Sequence, residues 1–437
     1  MIRFILPVML LLAALPARAA IEIKEVVSPG GITAWLVEDH TIPFTALEIR
    51  FRGGASVEPA DKRGATNLMT ALLEEGAAEM DARAFARARD SLAASFGYAV
   101  SDDALTVSAQ FLTENRDAAV DLLRQSLIAP RFDADAIERV RAQVLSGLRS
   151  DEMDPQQIAA RRFAAAVYGD HPYGSALDGT IDTVSTLTRD DLVAAHGAVM
   201  ARDRIHVAAV GDITAEDLAL LLDQLLGDLP ATGAPLPGAA SLTFDGGIEV
   251  VDFATPQSVV QFGQPGLAQD HPDFFAAFIL DHILGGGGFE SRLMTEVREK
   301  RGLTYGIYTF LADRDHAQVW AGSVASANNR VAETVEVIRA EWVRLHNEGI
   351  TAEELENAKT YLTGAYPLRF DGNGTIANII VGMQMRGMPI DYAATRNDRV
   401  NAVTLDDVNR VAREVLNPDA LSFVIVGQPE GLPETSN

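Results

Sequence analysis

The sequence predicts an α+β protein made from two copies of one unit. Segments late in the chain repeat earlier ones in the same order. AEELENAKTYLTGA (352–365) echoes ADAIERVRAQVLSG (134–147), and LDDVNRVAREVL echoes RDDLVAAHGAVM. FVIVGQ (423–428) echoes VAAVGD about 216 residues earlier, so the repeat is a duplicated unit near 210 residues, not a short-period solenoid. Each half mixes strand-like alternation with helical periodicity. A chain of 437 residues is too long for one ordinary core, and its 48% apolar content is enough to fill two.

The elements follow in order. Arg3 leads an apolar run, 4–15, that ends at the small-residue sequence Ala17-Arg18-Ala19. This is the pattern of an export leader cleaved after Ala19, which predicts a periplasmic protein. No cysteine follows to carry a lipid, and no later run is long enough to span a bilayer. Residues 20–229 form the expected first domain. IEIKEVV, ITAWLVED and FTALEIRFRGG alternate as strands. Residues 63–75 read as a helix, with Leu68/Leu72 and Met69/Leu73 at i,i+4 and Gly76 as its stop. Helices are expected at 82–96 and 114–128 around a strand at 98–111, then at 133–149 and 188–200, with a buried strand at 205–210. The stretch 230–242 is the richest in Pro, Gly, Ala and Ser, and marks a linker. The second domain is expected at 243–437, including an apolar helix at 275–284.

Composition removes several function classes. A formal charge of −25 argues against a nucleic-acid binder or a ligand of anionic membranes. The absence of cysteine excludes disulfides and thiolate chemistry. The eight histidines include no H-x-x-x-H or H-x-x-E-H pair. His171 precedes Pro172 in a turn, and His282 falls within the apolar helix, so a structural or surface role is the expectation for both.

Residues 285–310, GGGGFESRLMTEVREKRGLTYGIYTF, read as a glycine-rich turn, a short helix and a strand. Arg298 falls on the last helical turn and Tyr305 on the strand, so a fixed cation and a phenol can converge on one point. Such a pair can hold a carbonyl oxygen and the oxyanion it becomes. The plainer alternative is a surface Arg in an ion pair and a Tyr packed on a sheet. The run Gly285, Gly286, Gly287, Gly288 lacks both phosphate-cradling patterns. A tight turn and a place for close backbone approach both remain open for it.

SRLMTEVREKRGLTY resembles a signature of the pitrilysin-like, inverted-zincin peptidases, the family that includes the mitochondrial processing peptidase. YGDHPYGSALDGT (168–180), VAAVGDIT (207–214) and QSVVQFGQPG (257–266) resemble further segments of that family, so the resemblance spans nearly the whole chain. It implies two related domains, each a mostly antiparallel sheet covered by helices. It also implies that Arg298 and Tyr305 hold substrate beside a zinc ion, with the glycine run 285–288 near bound peptide.

The family's H-x-x-E-H helix aligns with GATNLMTALLEEG. Its two His positions fall on Asn67 and Ala71, its Glu on Thr70, and its later Glu ligand on Gly147. Ala and Gly have no donor atom, and Thr is no carboxylate base. The expectation is therefore a chain that binds no zinc itself. A homologous H-x-x-E-H partner would supply the zinc, in a heterodimer or larger assembly acting on a peptide. The alternative is a peptide-binding or scaffold homologue without a peptidase role.

Overall fold

The computed structural model describes residues 21–432, so the expected leader, 1–19, lies outside the described residues. The first half opens with strands β1 (Lys24–Val27), β2 (Thr33–Glu38) and β3 (Phe44–Arg52), followed by helix α1 (Ala65–Ala71). A small ribbon, β4 (Gly76–Ala77) with β5 (Met80–Asp81), leads to helix α2 (Ala82–Ser91). Strands β6 (Ser95–Val100) and β7 (Ala104–Leu112) come next, then helices α3 (Arg116–Ile128), α4 (Ala134–Asp151), α5 (Pro155–Tyr168), α6 (Ile181–Thr186) and α7 (Arg189–Val199). Strand β8 (Ile205–Gly211) and helix α8 (Ala215–Leu226) complete it. The six-stranded sheet runs β1-β2-β8-β3-β7-β6, and only the β2–β8 pair is parallel.

The second half has strands β9 (Ile248–Asp252) and β10 (Gln257–Pro265), helix α9 (Phe274–Asp281), and strands β11 (Ile307–Arg314) and β12 (Ala317–Ala327). Helices α10 (Val331–Glu348), α11 (Ala352–Ala365), α12 (Asn373–Met385), α13 (Tyr392–Ala402) and α14 (Leu405–Val415) follow, and strand β13 (Ser422–Gly427) ends it. Its sheet runs β11-β12-β10-β13-β9, again with one parallel pair, β13–β9. The strand order therefore repeats from one half to the other, with β1 as the addition in the first. Helix starts repeat too. Thr188/Asp191 on α7 and Thr404/Asp407 on α14 form matching capping boxes, each satisfying two otherwise free backbone donors.

Alternation along each strand decides what each sheet face meets. On β3, Leu47, Ile49 and Phe51 enter the first core, against Leu68, Met69 and Leu123 from the helices. The other face of that sheet is covered by a helix from the second half. Ala377, Ile380 and Val381 of α12 pack on Trp35, Ala46, Ala208 and Val210. The favour is returned. Ala159 of α5 packs on Val259 and Val426, while Val167 and Tyr168 pack on Val319 and Ala321. Helices thus cover both faces of each sheet, one face from its own half and one from the other. Burying those apolar faces stabilises the docked halves at about 25 cal/mol per Å² of apolar surface removed from water.

Polar contacts tie the same seam. Gln384 Oε1 accepts the Val207 N–H at 2.8 Å. Arg52 pairs with Asp315 at 3.2 Å, and Arg314 with Asp102 at 3.3 Å. Residues 230–242 carry no regular secondary structure. Their backbone is pinned: Arg204 Nη2 donates to the Ala234 carbonyl at 2.6 Å, and the Ala240 N–H to the His316 carbonyl at 2.8 Å.

Several helices are shorter than their periodicity predicts. The helix expected at 63–75 begins only after Gly64, which holds a left-handed φ of 93°, and its regular part ends at Ala71. The helix expected at 82–96 stops at Ser91, because Phe96 is taken into strand β6 and buried against the core.

Candidate functional site

The glycine run lies at the end of α9, whose Ala276, Ala277, Ile279 and Leu280 are buried. Beyond Asp281 the backbone widens into a π turn, His282–Gly286. The turn needs small residues because it lies against its neighbours. A Cβ on Gly285 would sit 2.5 Å from Thr309 Oγ1, and one on Gly286 2.6 Å from Asp281 Oδ2. Gly287 is equally tight, 2.6 Å from the His282 carbonyl oxygen, whereas Gly288 has open space and a φ of 60°. His282 stays helical, as expected, but on the π-wound continuation of α9.

Asp281 is the fixed point under this turn. Its Oδ1 accepts from Thr309 Oγ1 and from Trp320 Nε1, both at 2.7 Å. Burial pushes its carboxyl up to about 6 against these two hydrogen bonds. Asp281→Ala leaves both donors unpaired and is expected to cost about 2–4 kcal/mol in urea denaturation at neutral pH. Asp281→Asn keeps the acceptor and is expected to cost under about 1 kcal/mol.

The segment Met294–Glu299 is also wound as a π turn, with Met294 and Val297 in the second core. Its surroundings separate Arg298 from every cation nearby. Arg292 reaches Glu354 through two hydrogen bonds, at 2.6 and 2.8 Å. Lys300 and Arg301 each reach the buried Glu296 at 2.7 Å. The Arg298 side chain makes no ion pair and no hydrogen bond among the described residues. Its guanidinium lies over the Phe289 ring, 4.7 Å from the centroid, an arrangement that holds the cation while leaving its N–H groups free.

Tyr305 is not on the strand expected for it. Pairing begins only at Ile307, opposite Val324. Before that, Thr304 Oγ1 donates to the Ala325 carbonyl at 2.7 Å and accepts the Gly306 N–H at 3.1 Å, so the chain turns outward at Tyr305. The ring is 89% exposed. Arg298 and Tyr305 nevertheless line one open cleft of about 610 Å³, together with Gln257 and Thr304. Phe289, Tyr308 and Phe310 are exposed apolar neighbours in sequence and on the adjoining edge strand β11. The glycine run is tied to the cleft through Phe289, which it presents to Arg298.

The four positions aligned with zinc ligands and base lie on α1 and α4, which are in contact. Ala71 is exposed and Asn67 half-buried. Thr70 is buried and its hydroxyl donates to the Thr66 carbonyl one turn back, at 2.7 Å. Gly147 is exposed, with nothing within 4 Å of a Cβ. Zinc needs three or four nitrogen, sulfur or carboxylate donors. One amide and one committed hydroxyl do not fit it. Among the described residues no group of three or more His, Asp or Glu side chains is placed to hold a metal.

Sequence reasoning did not find Asp281 or the Phe289 support. Asp281 has no motif around it, and Phe289 had a signal only in being a large apolar residue inside a glycine turn.

Comparison with known proteins shows the family and the fold. Residues 33–181 match the family model "Insulinase (Peptidase family M16)", and residues 186–362 match "Peptidase M16 inactive domain". The chain is 27% identical over 390 residues to a non-peptidase homolog, YmxG, of Helicobacter pylori, covering 89% of this chain and 90% of that one. It is 24% identical over 416 residues to a probable mitochondrial-processing peptidase subunit beta of Schizosaccharomyces pombe, covering 90% and 89%. A crystal structure of a peptidase M16 inactive domain from Pseudomonas fluorescens superposes with a TM-score of 0.87 at 27% identity, covering 94% of this chain and 99% of that one.

Proposed function

Since the chain belongs to the peptidase M16 family, we propose that it is the non-zinc subunit of a metallopeptidase, lending Arg298 and Tyr305 to a homologous partner that carries H-x-x-E-H and zinc. One observation supports this above the others. The zinc-ligand positions hold no suitable donor set, while Arg298 is the cation of its segment left unpaired, beside an exposed phenol in an open cleft. In an assembly the guanidinium and the phenol would donate to the carbonyl oxygen of the scissile peptide. That oxygen gains negative charge as the peptide is attacked, so these donors bind the transition state more tightly than the substrate. Water activation would belong to the partner. A relative named as a peptidase subunit supports an assembly of this kind. No helix among the described residues is long and apolar enough to cross a membrane. The leader pattern at 1–19 supports action in the periplasm.

A second reading is favoured by the non-peptidase name of the Helicobacter relative. It makes the chain a peptide-binding or scaffold protein in which Arg298 and Tyr305 serve no hydrolysis.

Zinc content and peptidase activity, measured on the chain alone and mixed with a homologous H-x-x-E-H chain, separate the readings. Expected are no zinc and no cleavage alone, and cleavage on mixing. Stoichiometric zinc in this chain, or cleavage without a partner, overturns the proposal. Silence in both samples moves the assignment to the scaffold reading.

A further inference from the structure

We propose that a second pocket, at the seam between the two halves, binds a small organic anion. The ligand would have a doubly charged head group on an aromatic or apolar body, an aryl phosphate being the simplest representative. The pocket has a volume of about 330 Å³, within the range of small-molecule sites, and shares no lining residue with the Arg298 cleft. Four arginines line it: Arg50 from β3, Arg369 after α11, Arg386 at the end of α12, and Arg396 on α13. None makes an ion pair among the described residues, in a chain with 61 acidic against 36 basic side chains.

The arrangement concentrates positive charge on one spot. A Cβ at Gly382 would lie 3.2 Å from Nη1 of Arg50 and 3.5 Å from Nη1 of Arg386, so both guanidinium groups crowd the same small residue. Arg50 gives one hydrogen bond to Asn378 Oδ1 at 2.7 Å, and its Nε is buried without a partner. Arg386 has only a long 3.4 Å contact to the Gly382 carbonyl. Arg396 is buried at the base, donating to the Leu362 carbonyl at 2.8 Å, with its charge over the Tyr366 and Phe278 rings. Glu48, Asp313 and Asp315 feel the charge of Arg50 or Arg386 but give their short contacts to other groups. Glu48 accepts from Ser108 at 2.8 Å, Asp315 pairs with Arg52, and Asp313 accepts the Gln269 N–H at 3.1 Å. His206 lies opposite Arg50 in the sheet. Burial, with Arg52 and Arg50 nearby, pushes its imidazole down to about 4.

Buried or crowded guanidinium groups without a carboxylate are costly, and a bound dianion would relieve that cost through charge-assisted forked hydrogen bonds. Apart from Gln269 and Asn378 the remaining walls are apolar or aromatic, including Phe275 and Tyr392, which suits a flat body behind the head group. A ligand held here touches β3 of one half and α12 and α13 of the other, so it also braces the seam.

Isothermal titration of the full chain with phenyl phosphate, inorganic phosphate and phenol tests the proposal. Expected is saturable one-to-one binding of phenyl phosphate, tighter than inorganic phosphate by about tenfold or more, and none of phenol. Arg369→Gln and Arg386→Gln alter the exposed mouth, where folding is not at stake, and each is expected to weaken binding about tenfold or more. Absence of saturable binding overturns the proposal. So does unchanged affinity in the Arg369→Gln/Arg386→Gln double variant, and equal affinity for inorganic phosphate overturns the aromatic body.

Discussion

If the proposed function holds, Arg298→Ala is expected to lower the turnover of the assembled peptidase by about 10²–10³, the scale for removing one donor from an oxyanion site. The loss should fall mainly on kcat, because the oxygen it would bind carries most charge in the transition state. Assembly should survive, since Arg298 ties nothing within its own chain and only stacks on Phe289. Arg298→Lys keeps the charge but loses the planar fork, and should recover part of the rate. Steady-state kinetics beside a sedimentation measurement of the complex checks this. Turnover unchanged in Arg298→Ala, with the complex intact, would remove the role assigned to it.

The triple substitution Asn67→His, Ala71→His and Gly147→Glu is expected to give the chain a zinc site where it has none. Two imidazoles would then lie one turn apart on α1, with a carboxylate on the contacting α4. The positions tolerate the change: Ala71 and Gly147 are exposed, and a Cβ on Gly147 meets nothing. Replacing a helical glycine also removes a penalty of about 0.5–1 kcal/mol. Stoichiometric zinc with micromolar or tighter affinity is the expected result, against none in the parent chain. Failure to bind would mean that Gly147 does not face α1 and that its alignment is wrong. Because Thr70 remains, the triple variant should bind zinc without hydrolysing peptides.

The parts legible in the sequence were those encoded locally or by repetition. Alternation in β3 and β8, the i,i+4 apolar pairs beginning on α1 and the echo of VAAVGD in FVIVGQ led to two α+β units whose sheets share one strand order. The alignment of Asn67, Thr70, Ala71 and Gly147 with a zinc site rests on the resemblance, and the fold adds that these positions lie on two contacting helices. Tyr305 was misplaced by two residues, since the Thr304 hydroxyl bonds that turn the chain outward leave no mark in hydrophobic pattern. Asp281 looked like one polar residue in an apolar helix, and its partners Thr309 and Trp320 lie on two strands that reach it only in the fold. The arginine pocket was further out of reach. Arg50 meets Arg386 across more than 300 positions, through packing of α12 on the opposite half.

That exchange of helices bears on how the chain is made. The first sheet keeps one apolar face bare until α12, ending at Met385, has been synthesised. The second sheet depends in turn on α5, translated long before any of its own strands. Neither half can therefore finish ahead of the other, and contacts of such high sequence separation form slowly. Separate expression of 21–229 and 243–432 should give fragments that aggregate through their uncovered sheets, in contrast with multidomain chains that mature unit by unit from the N-terminus. A polypeptide that stays incomplete until α12 has left the ribosome also stays threadable for most of its synthesis.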